Sequence, residues 1–411
     1  MWPTAAARRV AALALISALG TSCSIGSAAG TDTTSTAAAS STSLPATTST
    51  TDQSTTSTTA TTTTVAATTT TTTAPPIDTG PAFAAIDTAA QSLLSSSGDL
   101  AVSVAVARDG VVVHQAAVSR ANDGWDGPIT SATRFRLASV SKVLTSIVIM
   151  QLVEEGSLEL DRPFVDYLKT VAAPIDPRVS RITIRQLLSH SSGLGPDRNA
   201  YFGGGSSSWR DSALLAFRTS LLAEPGTEFR YSNTNYCLLG LVIEQITGQT
   251  YEQAVIERVA ESQAISGIRL ADTVDSGPGD APYRSSVGRT YMEALGPAGA
   301  WIASAPDVAL IYNSLVVAGA GRHPLSAESV ALMRTPVPFA TPGASWTYGY
   351  GMMLFGESWG HTGTVEQART AVLTVPNGYT ISILVSGATP ATGEGLMADF
   401  GSAIMQIAAL G

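Results

Sequence analysis

A serine and a lysine three residues apart begin an apolar helical pattern. In Ser139-Val140-Ser141-Lys142, apolar residues continue after the pair at helical spacing as far as Gly156. Residues three apart lie on one face of a helix, so the hydroxyl of Ser139 and the amine of Lys142 can meet. A serine is a weak nucleophile until a base takes its proton, and a lysine in a closed pocket can be that base. The pattern predicts a nucleophilic serine; an N-cap serine beside a surface lysine is the alternative.

A second polar group lies about 90 residues further along the chain. Tyr231-Ser232-Asn233 follows a Pro-Gly segment and precedes an apolar helix that is expected to begin near Tyr236. A tyrosine can carry a proton when cationic neighbours stabilise its phenolate. The side chain of Asn233 offers both a donor and an acceptor to a substrate amide. Taken alone, the segment also fits an ordinary turn.

A third group, His361-Thr362-Gly363-Thr364, precedes the last predicted hairpin. Its position indicates a strand at the edge of a groove. Gly363 would allow a ligand to approach the backbone closely, and the N–H of Thr364 could donate to an oxyanion. The alternative for His361 is a histidine at the boundary between a loop and a strand.

Together the motifs SxxK, YxN and HTG, in this order, resemble the serine penicillin-recognising family. The class C type is the most similar branch, with class C β-lactamases, D-alanyl-D-alanine carboxypeptidases and related esterases. Other stretches that match are Phe135-Arg136-Leu137-Ala138, Leu187 to Leu194 and Gly299-Ala300-Trp301. The resemblance covers nearly all of residues 81–411. It implies an α/β fold of the α+β type, in which an antiparallel sheet flanked by helices lies beside a mostly helical subdomain.

The resemblance also implies catalytic roles. Ser139 would attack a carbonyl and form an acyl-enzyme, while Lys142 and Tyr231 would exchange protons with Ser139 and with the leaving group. The backbone N–H groups of Ser139 and Thr364 would form the oxyanion hole. His190 belongs to a matching stretch that is interpreted as structural.

Substrate-binding roles follow from the same resemblance. Asn233 would bind a substrate amide. His361 and Thr362 would face a substrate carboxylate or its equivalent, and Gly363 and Thr364 would line the strand along which the substrate lies.

The composition excludes several other kinds of protein. The chain has 411 residues, a net charge of −9 and no basic stripe, so we expect no nucleic-acid partner. Two cysteines exclude a disulfide framework and a cysteine zinc site, and the four histidines lack metal-ligand spacing. No metal or organic cofactor is implied. Cys237 is expected to be a buried free thiol.

The first eighty residues carry targeting signals. Arg8 and Arg9 precede an apolar run of signal-peptide length, and Gly20-Thr21-Ser22-Cys23 resembles a bacterial lipobox, which makes residues 1–23 a signal peptide with Cys23 as the lipidated residue. An ordinary secretory signal is the alternative. Residues 24–80 are rich in Thr, Ser and Ala and are expected to be a disordered linker. We expect an exported monomer, anchored to the cell membrane by its lipid or located in the periplasm or cell wall.

The folded domain is expected to span residues 81–411. Its sheet would come from residues 81–138 and 290–411, because strand and hairpin patterns lie near both ends, and its helical part from residues 139–289. The predicted hairpins turn at Asp109-Gly110 and at Pro376-Asn377-Gly378. The predicted helices are Phe83 to Leu94, Ser139 to Glu155, Arg185 to Ser189, Ser212 to Leu222, Asn235 to Thr247, Tyr251 to Glu261 and Gly393 to Leu410.

Three functions remain open. The first is a cell-envelope serine hydrolase that acts on peptidoglycan-type peptides or related amides and esters. The second is a class C-like esterase with the same residues. The third is a non-catalytic module that binds muropeptides or has a regulatory role. This third alternative is suggested by the run Thr364 to Arg369. The family carries a further glycine there, whereas this chain has the bulk of Val365 and the carboxylate of Glu366.

Overall fold

The computed structural model describes residues 80–120, 128–169, 172–196, 198–274, 277–283, 289–316, 321–341, 343–387 and 392–410. The predicted signal peptide, Cys23 and the linker up to residue 79 lie outside the described residues. No helix among the described residues combines the length and the apolar character needed to cross a membrane.

Strands from both ends of the domain form one antiparallel sheet of seven strands, in the order β2-β1-β10-β9-β8-β7-β6. A smaller antiparallel sheet has the order β3-β5-β4. The strands are β1 (Asp99–Arg108), β2 (Val111–Ser119), β3 (Phe135–Arg136), β4 (Arg269–Leu270), β5 (Trp301–Ala303), β6 (Thr347–Tyr348), β7 (Met353–Phe355), β8 (Ser358–Val365), β9 (Ala368–Thr374) and β10 (Thr380–Gly387).

Turn chemistry and burial explain this sheet. Asp109 and Gly110 both have positive φ angles, of 52° and 76°, as a tight hairpin between twisted strands requires. Strands β1 and β10 pair along their length in the interior of the sheet and are buried almost throughout. Apolar side chains on both faces of these strands therefore need helices to cover them. Both predicted hairpins and the antiparallel sheet are confirmed.

The helices are α1 (Pro81–Ser96), α2 (Ser141–Glu154), α3 (Ile184–Leu188), α4 (Arg198–Phe202), α5 (Trp209–Leu214), α6 (Asn233–Thr247), α7 (Tyr251–Val255), α8 (Tyr291–Leu295), α9 (Ala305–Asn313), α10 (Ala327–Met333), α11 (Gly393–Asp399) and α12 (Gly401–Ala408). Helices α1 and α12 pack against each other, and α1 and α9 both pack against β1. Helices α2, α5 and α6 lie in the predominantly helical middle of the chain, where α6 contacts both of the others.

Several predicted helix boundaries are wrong. The helix predicted from Ser212 to Leu222 begins earlier, because Ser208 caps it by accepting from the N–H of Asp211, and it ends at Leu214. The last helix is divided at Phe400 into α11 and α12. Strand β4, which belongs to the small sheet, lies within residues 139–289, which were expected to be helical, and the described residues all belong to one compact unit.

Candidate functional site

Ser139 lies in a short 3₁₀ turn, Ala138–Val140, which leads directly into α2. Ala138 has a φ of +49°, which is unusual for a residue with a side chain and stores strain next to the serine. Ser139 is partly accessible, whereas Ala138 and Val140 are completely buried. The turn therefore presents one hydroxyl at the surface of a rigid, buried segment.

Lys142 lies beneath this hydroxyl and is completely buried. Its Nζ is 3.1 Å from Ser139 Oγ, 2.9 Å from Asn233 Oδ1 and 2.7 Å from the carbonyl oxygen of Ala298. Burial lowers the pKa of Lys142 to about 7, because removal of the ammonium from water disfavours its charged form. A large fraction of this amine is consequently neutral at physiological pH.

The three partners of Lys142 decide where its lone pair points. Asn233 Oδ1 and the carbonyl of Ala298 can only accept hydrogen bonds. A neutral amine has two N–H groups, and these two acceptors use both of them. The lone pair is then left for Ser139, which is the arrangement that a base acting on this serine requires.

Tyr231 lies near the serine, and its phenol interacts with the Ser139 hydroxyl. Lys142 Nζ lies 4.8 Å from the centroid of the Tyr231 ring. Burial raises the pKa of the Tyr231 phenol far above its usual value, and the charge of Glu394 raises it further. A phenolate stabilised by cationic neighbours, which the sequence suggested, is therefore disfavoured, and Tyr231 keeps its proton while Lys142 is the group that loses one.

His190 fixes the loop that carries Tyr231. Its Nδ1 accepts from the N–H of Ser232 at 3.2 Å and from Asn235 Nδ2 at 3.0 Å. Burial lowers the pKa of this imidazole well below its usual value, and the positive charge of Lys142 adds to the effect. A neutral ring with an unprotonated Nδ1 fits both hydrogen bonds, and the predicted structural role of His190 agrees with these contacts.

The HTG motif forms the end of β8, as the sequence predicted. His361 is buried, its Nδ1 lies 2.6 Å from the carbonyl oxygen of Thr362, and its Nε2 lies 3.0 Å from the hydroxyl of Tyr348. Burial lowers the pKa of His361 to about 3, and the charge of Lys142 contributes to the shift. His361 is thus a neutral side chain, with its ring centroid 6.5 Å from that of Tyr231.

Gly363 brings β8 against the turn that carries Ser139. A Cβ atom at this position would lie 2.7 Å from the carbonyl oxygen of Leu137 and 2.9 Å from the Cβ of Ala138. Because there is no room for a side chain, the backbone of the HTG motif runs directly beside the serine. Strand β8 also places Thr364 at the exposed rim of the site and Thr362 in a buried position.

The structure thus brings all three motifs together, and it adds residues that the sequence analysis missed. These are Ala298, whose carbonyl binds Lys142, Tyr348, which binds His361, and Glu394, whose Oε1 lies 3.0 Å from Thr362 Oγ1. A backbone acceptor leaves no trace in residue type, and a glutamate 32 residues after its partner has no spacing signal. Glu366, which was expected near the groove, lies in the turn between β8 and β9, where its backbone oxygen accepts from Tyr291.

Cys237 is buried and free, as expected. Its Sγ lies 3.5 Å from the carbonyl oxygen of Leu295, and burial raises the pKa of the thiol to about 12. The thiol therefore stays protonated and belongs to the packing beneath the site.

Several known proteins are similar to this chain. The curated relatives include a putative fimbrial assembly protein FimD of serogroup D from Dichelobacter nodosus, which is 30% identical over 299 residues, or 67% of this chain and 72% of the relative. Penicillin-binding protein 4 from Amycolatopsis lactamdurans is 28% identical over 308 residues, or 68% of this chain and 79% of the relative.

A solved structure shows the same fold. The octameric penicillin-binding protein homologue from Pyrococcus abyssi superposes with a TM-score of 0.66 at 23% identity, over 78% of this chain and 76% of that chain. The family model described as Beta-lactamase matches residues 86–403, which include the serine turn, the YSN segment and the HTG strand. The chain belongs to the β-lactamase family of hydrolases, whose relatives include penicillin-binding proteins.

Proposed function

We propose that this protein is a cell-envelope serine hydrolase that forms an acyl-enzyme on Ser139 with peptidoglycan-type peptides or related amides and esters. The observation that carries the proposal is the contact of 3.1 Å between an accessible serine hydroxyl and a buried amine. The low pKa of Lys142, about 7, makes this amine a base at physiological pH.

The reaction begins when Ser139 Oγ attacks the substrate carbonyl and Lys142 takes the hydroxyl proton. The N–H groups of Ser139 and Thr364 stabilise the oxyanion. The C–N or C–O bond then breaks, and the leaving group receives a proton from Lys142, relayed by the Tyr231 hydroxyl. In the second half of the reaction, water attacks the acyl carbon while Lys142 takes a proton from it. The bond to Ser139 Oγ then breaks as Lys142 returns that proton to the serine oxygen, and the acid is released.

Asn233 has a double role in this scheme. Its Oδ1 holds Lys142, and its Nδ2 is left to donate to a substrate carbonyl. The assignment to the cell envelope is supported by the kinds of relative that match, a penicillin-binding protein and a fimbrial assembly protein. Lipidation of Cys23 would supply the anchor.

Mass spectrometry of the intact protein tests the acyl-enzyme. The protein is exposed separately to a fluorescent penicillin and to a fluorophosphonate, and the adduct is mapped by proteolysis. We expect one adduct, located on Ser139, that is absent from Ser139→Ala and retained in Ser95→Ala, which removes an exposed hydroxyl of α1. Labelling of Ser139→Ala, or no labelling of the wild type by either probe, would contradict the proposal.

An esterase or amidase without recognition of a carboxylate is the second candidate. His361 is neutral, with its pKa lowered to about 3 by burial, so the HTG strand offers no cation at this position to a substrate carboxylate. Labelling by the fluorophosphonate without labelling by the penicillin would favour this candidate. A protein that binds muropeptides but is labelled by neither probe would instead be the non-catalytic module.

A further inference from the structure

Glu394 lies at the start of α11 and contacts β8, the strand that forms one wall of the site. Thr362 Oγ1 donates to Glu394 Oε1 at 3.0 Å, and the N–H of Gly393 donates to Thr364 Oγ1 at 2.8 Å. Alternate side chains of a strand point to one face, so Thr362 and Thr364 share the face that meets the start of α11. Glu394 is partly accessible, so its carboxylate is held at the strand while it remains in contact with solvent.

Gly393 makes this close approach possible. A Cβ atom at Gly393 would lie 2.6 Å from the carbonyl oxygen of Thr370 and 2.7 Å from the N and O atoms of Gly363. The first residue of α11 thus sits directly on the backbone of the HTG strand, and the next residue is Glu394. The backbone from which Glu394 projects is therefore fixed against β8, and the hydrogen bond from Thr362 holds the carboxylate itself.

The charges around Glu394 leave its carboxylate without a cationic partner among the described residues. His361 is neutral, and Lys142 donates to its own two acceptors beneath the serine. Arg369 lies opposite Thr364 on β9, but it is buried and forms an ion pair with Asp99. The fixed charge at this wall of the site is therefore negative.

We propose that Glu394 determines substrate specificity by charge, selecting amides and esters that carry a free ammonium group near the scissile carbonyl and rejecting those that carry a carboxylate there. The substrates would be derivatives of amino acids or short peptides with a free amino group. This inference rests on the proposed function, since it assigns the substrate class of the same Ser139 site.

The test uses three substrates that differ in charge and share one leaving group. They are the p-nitroanilides of alanine, N-acetylalanine and N-succinylalanine, each in both enantiomers at pH 7, with the corresponding ethyl esters in parallel. We expect kcat/KM of the wild type to be at least tenfold higher for the cationic than for the anionic substrate. Tenfold corresponds to about 1.4 kcal/mol.

The variant Glu394→Gln keeps an acceptor for Thr362 and removes the charge. We expect it to reduce the ratio of kcat/KM for the cationic substrate to kcat/KM for the anionic substrate at least fivefold. The matched control is Glu357→Gln, at an exposed glutamate in the turn between β7 and β8, and it should keep the ratio of the wild type.

The outcomes separate this inference from the proposed function. If p-nitrophenyl acetate is hydrolysed in a Ser139-dependent manner but Glu394→Gln leaves the charge ratio unchanged, the specificity role is wrong and the proposed function stands. A wild type that prefers the succinyl substrate also overturns the specificity role. If p-nitrophenyl acetate is not hydrolysed, or Ser139→Ala hydrolyses it equally well, both proposals are contradicted.

Discussion

The imidazole of His190 packs against the phenol ring of Tyr231 at an interplanar angle of 32°, with the ring centroids 4.1 Å apart. His190 has a φ of +55°, a strained conformation for a residue with a side chain, and its backbone oxygen accepts from the N–H of Arg230 at 2.7 Å. His190 therefore holds the loop of Tyr231 through three contacts, which are made by its ring, its Nδ1 atom and its backbone oxygen. The geometry at Ser139 depends on a histidine that does not touch it.

Replacement of His190 by alanine tests this dependence. We expect His190→Ala to lower kcat for p-nitrophenyl acetate at least tenfold and to lower the free energy of unfolding by about 1–3 kcal/mol, because the N–H of Ser232 loses its acceptor inside the protein. The matched control is His114→Ala. His114 is also buried, stacks on Phe83 and lies 2.7 Å from an oxygen of Asp87, but it belongs to β2. An equal loss of kcat in both variants would show that only general stability is affected.

The pKa of Lys142 predicts the pH dependence of the reaction. Lys142 can accept the proton of Ser139 only when it is neutral, so kcat/KM should rise with pH through a single ionisation near 7, the pKa to which burial lowers this amine. Below that pH the ammonium cannot act as a base. The rate should be measured between pH 5 and 9 with an uncharged ester, and a profile that is flat across this range would rule out Lys142 as the base.

The variant Lys142→Arg separates the base from the positive charge. An arginine remains protonated at every accessible pH, so we expect a loss of at least about a thousandfold in kcat/KM. Lys169→Arg is the matched control, because Lys169 is the other lysine of the chain and is exposed. It should keep both the rate and the pH profile.

The sequence was informative where local chemistry decides the structure. Asp109-Gly110 and the SxxK spacing depend on residues close together in the chain, and both were found correctly. The long-range contacts were predicted from the order of the three motifs. That order carries the family resemblance, which places Ser139 and His361 in one site, whereas no periodicity in the sequence does so.

The sequence was uninformative where tertiary contacts decide the chemistry. The neutral state of His361 follows from burial beside Lys142 and Tyr348, which no local pattern encodes. The same is true of the protonated state of Tyr231. Glu394 could not be predicted from the sequence, because its contact with Thr362 depends on the absence of a side chain at Gly393.

A buried ion pair connects the start of β9, the strand that follows the HTG motif, to the start of β1. Asp99 and Arg369 are almost completely buried and form a salt bridge. We expect Arg369→Met to lower the free energy of unfolding by about 3–5 kcal/mol, because it leaves the carboxylate of Asp99 buried without its cation. Arg162→Met, at an exposed pair with Asp166, should have a much smaller effect in the same chemical denaturation, because solvent screens an exposed ion pair. Equal costs in the two variants would contradict a special role for the buried pair.

The contact of Gly363 with the serine turn predicts a catalytic effect of one methyl group. In Gly363→Ala, the new Cβ would lie within 3 Å of Leu137 O and Ala138 Cβ, so either β8 or the turn must move. We expect kcat to fall about a hundredfold, because an error of about 1 Å between nucleophile and oxyanion donors costs that much. The control is Gly98→Ala, where a Cβ meets no atom within 4 Å, and its activity should match the wild type. Full activity of Gly363→Ala would mean that the strand does not position the acyl group on Ser139.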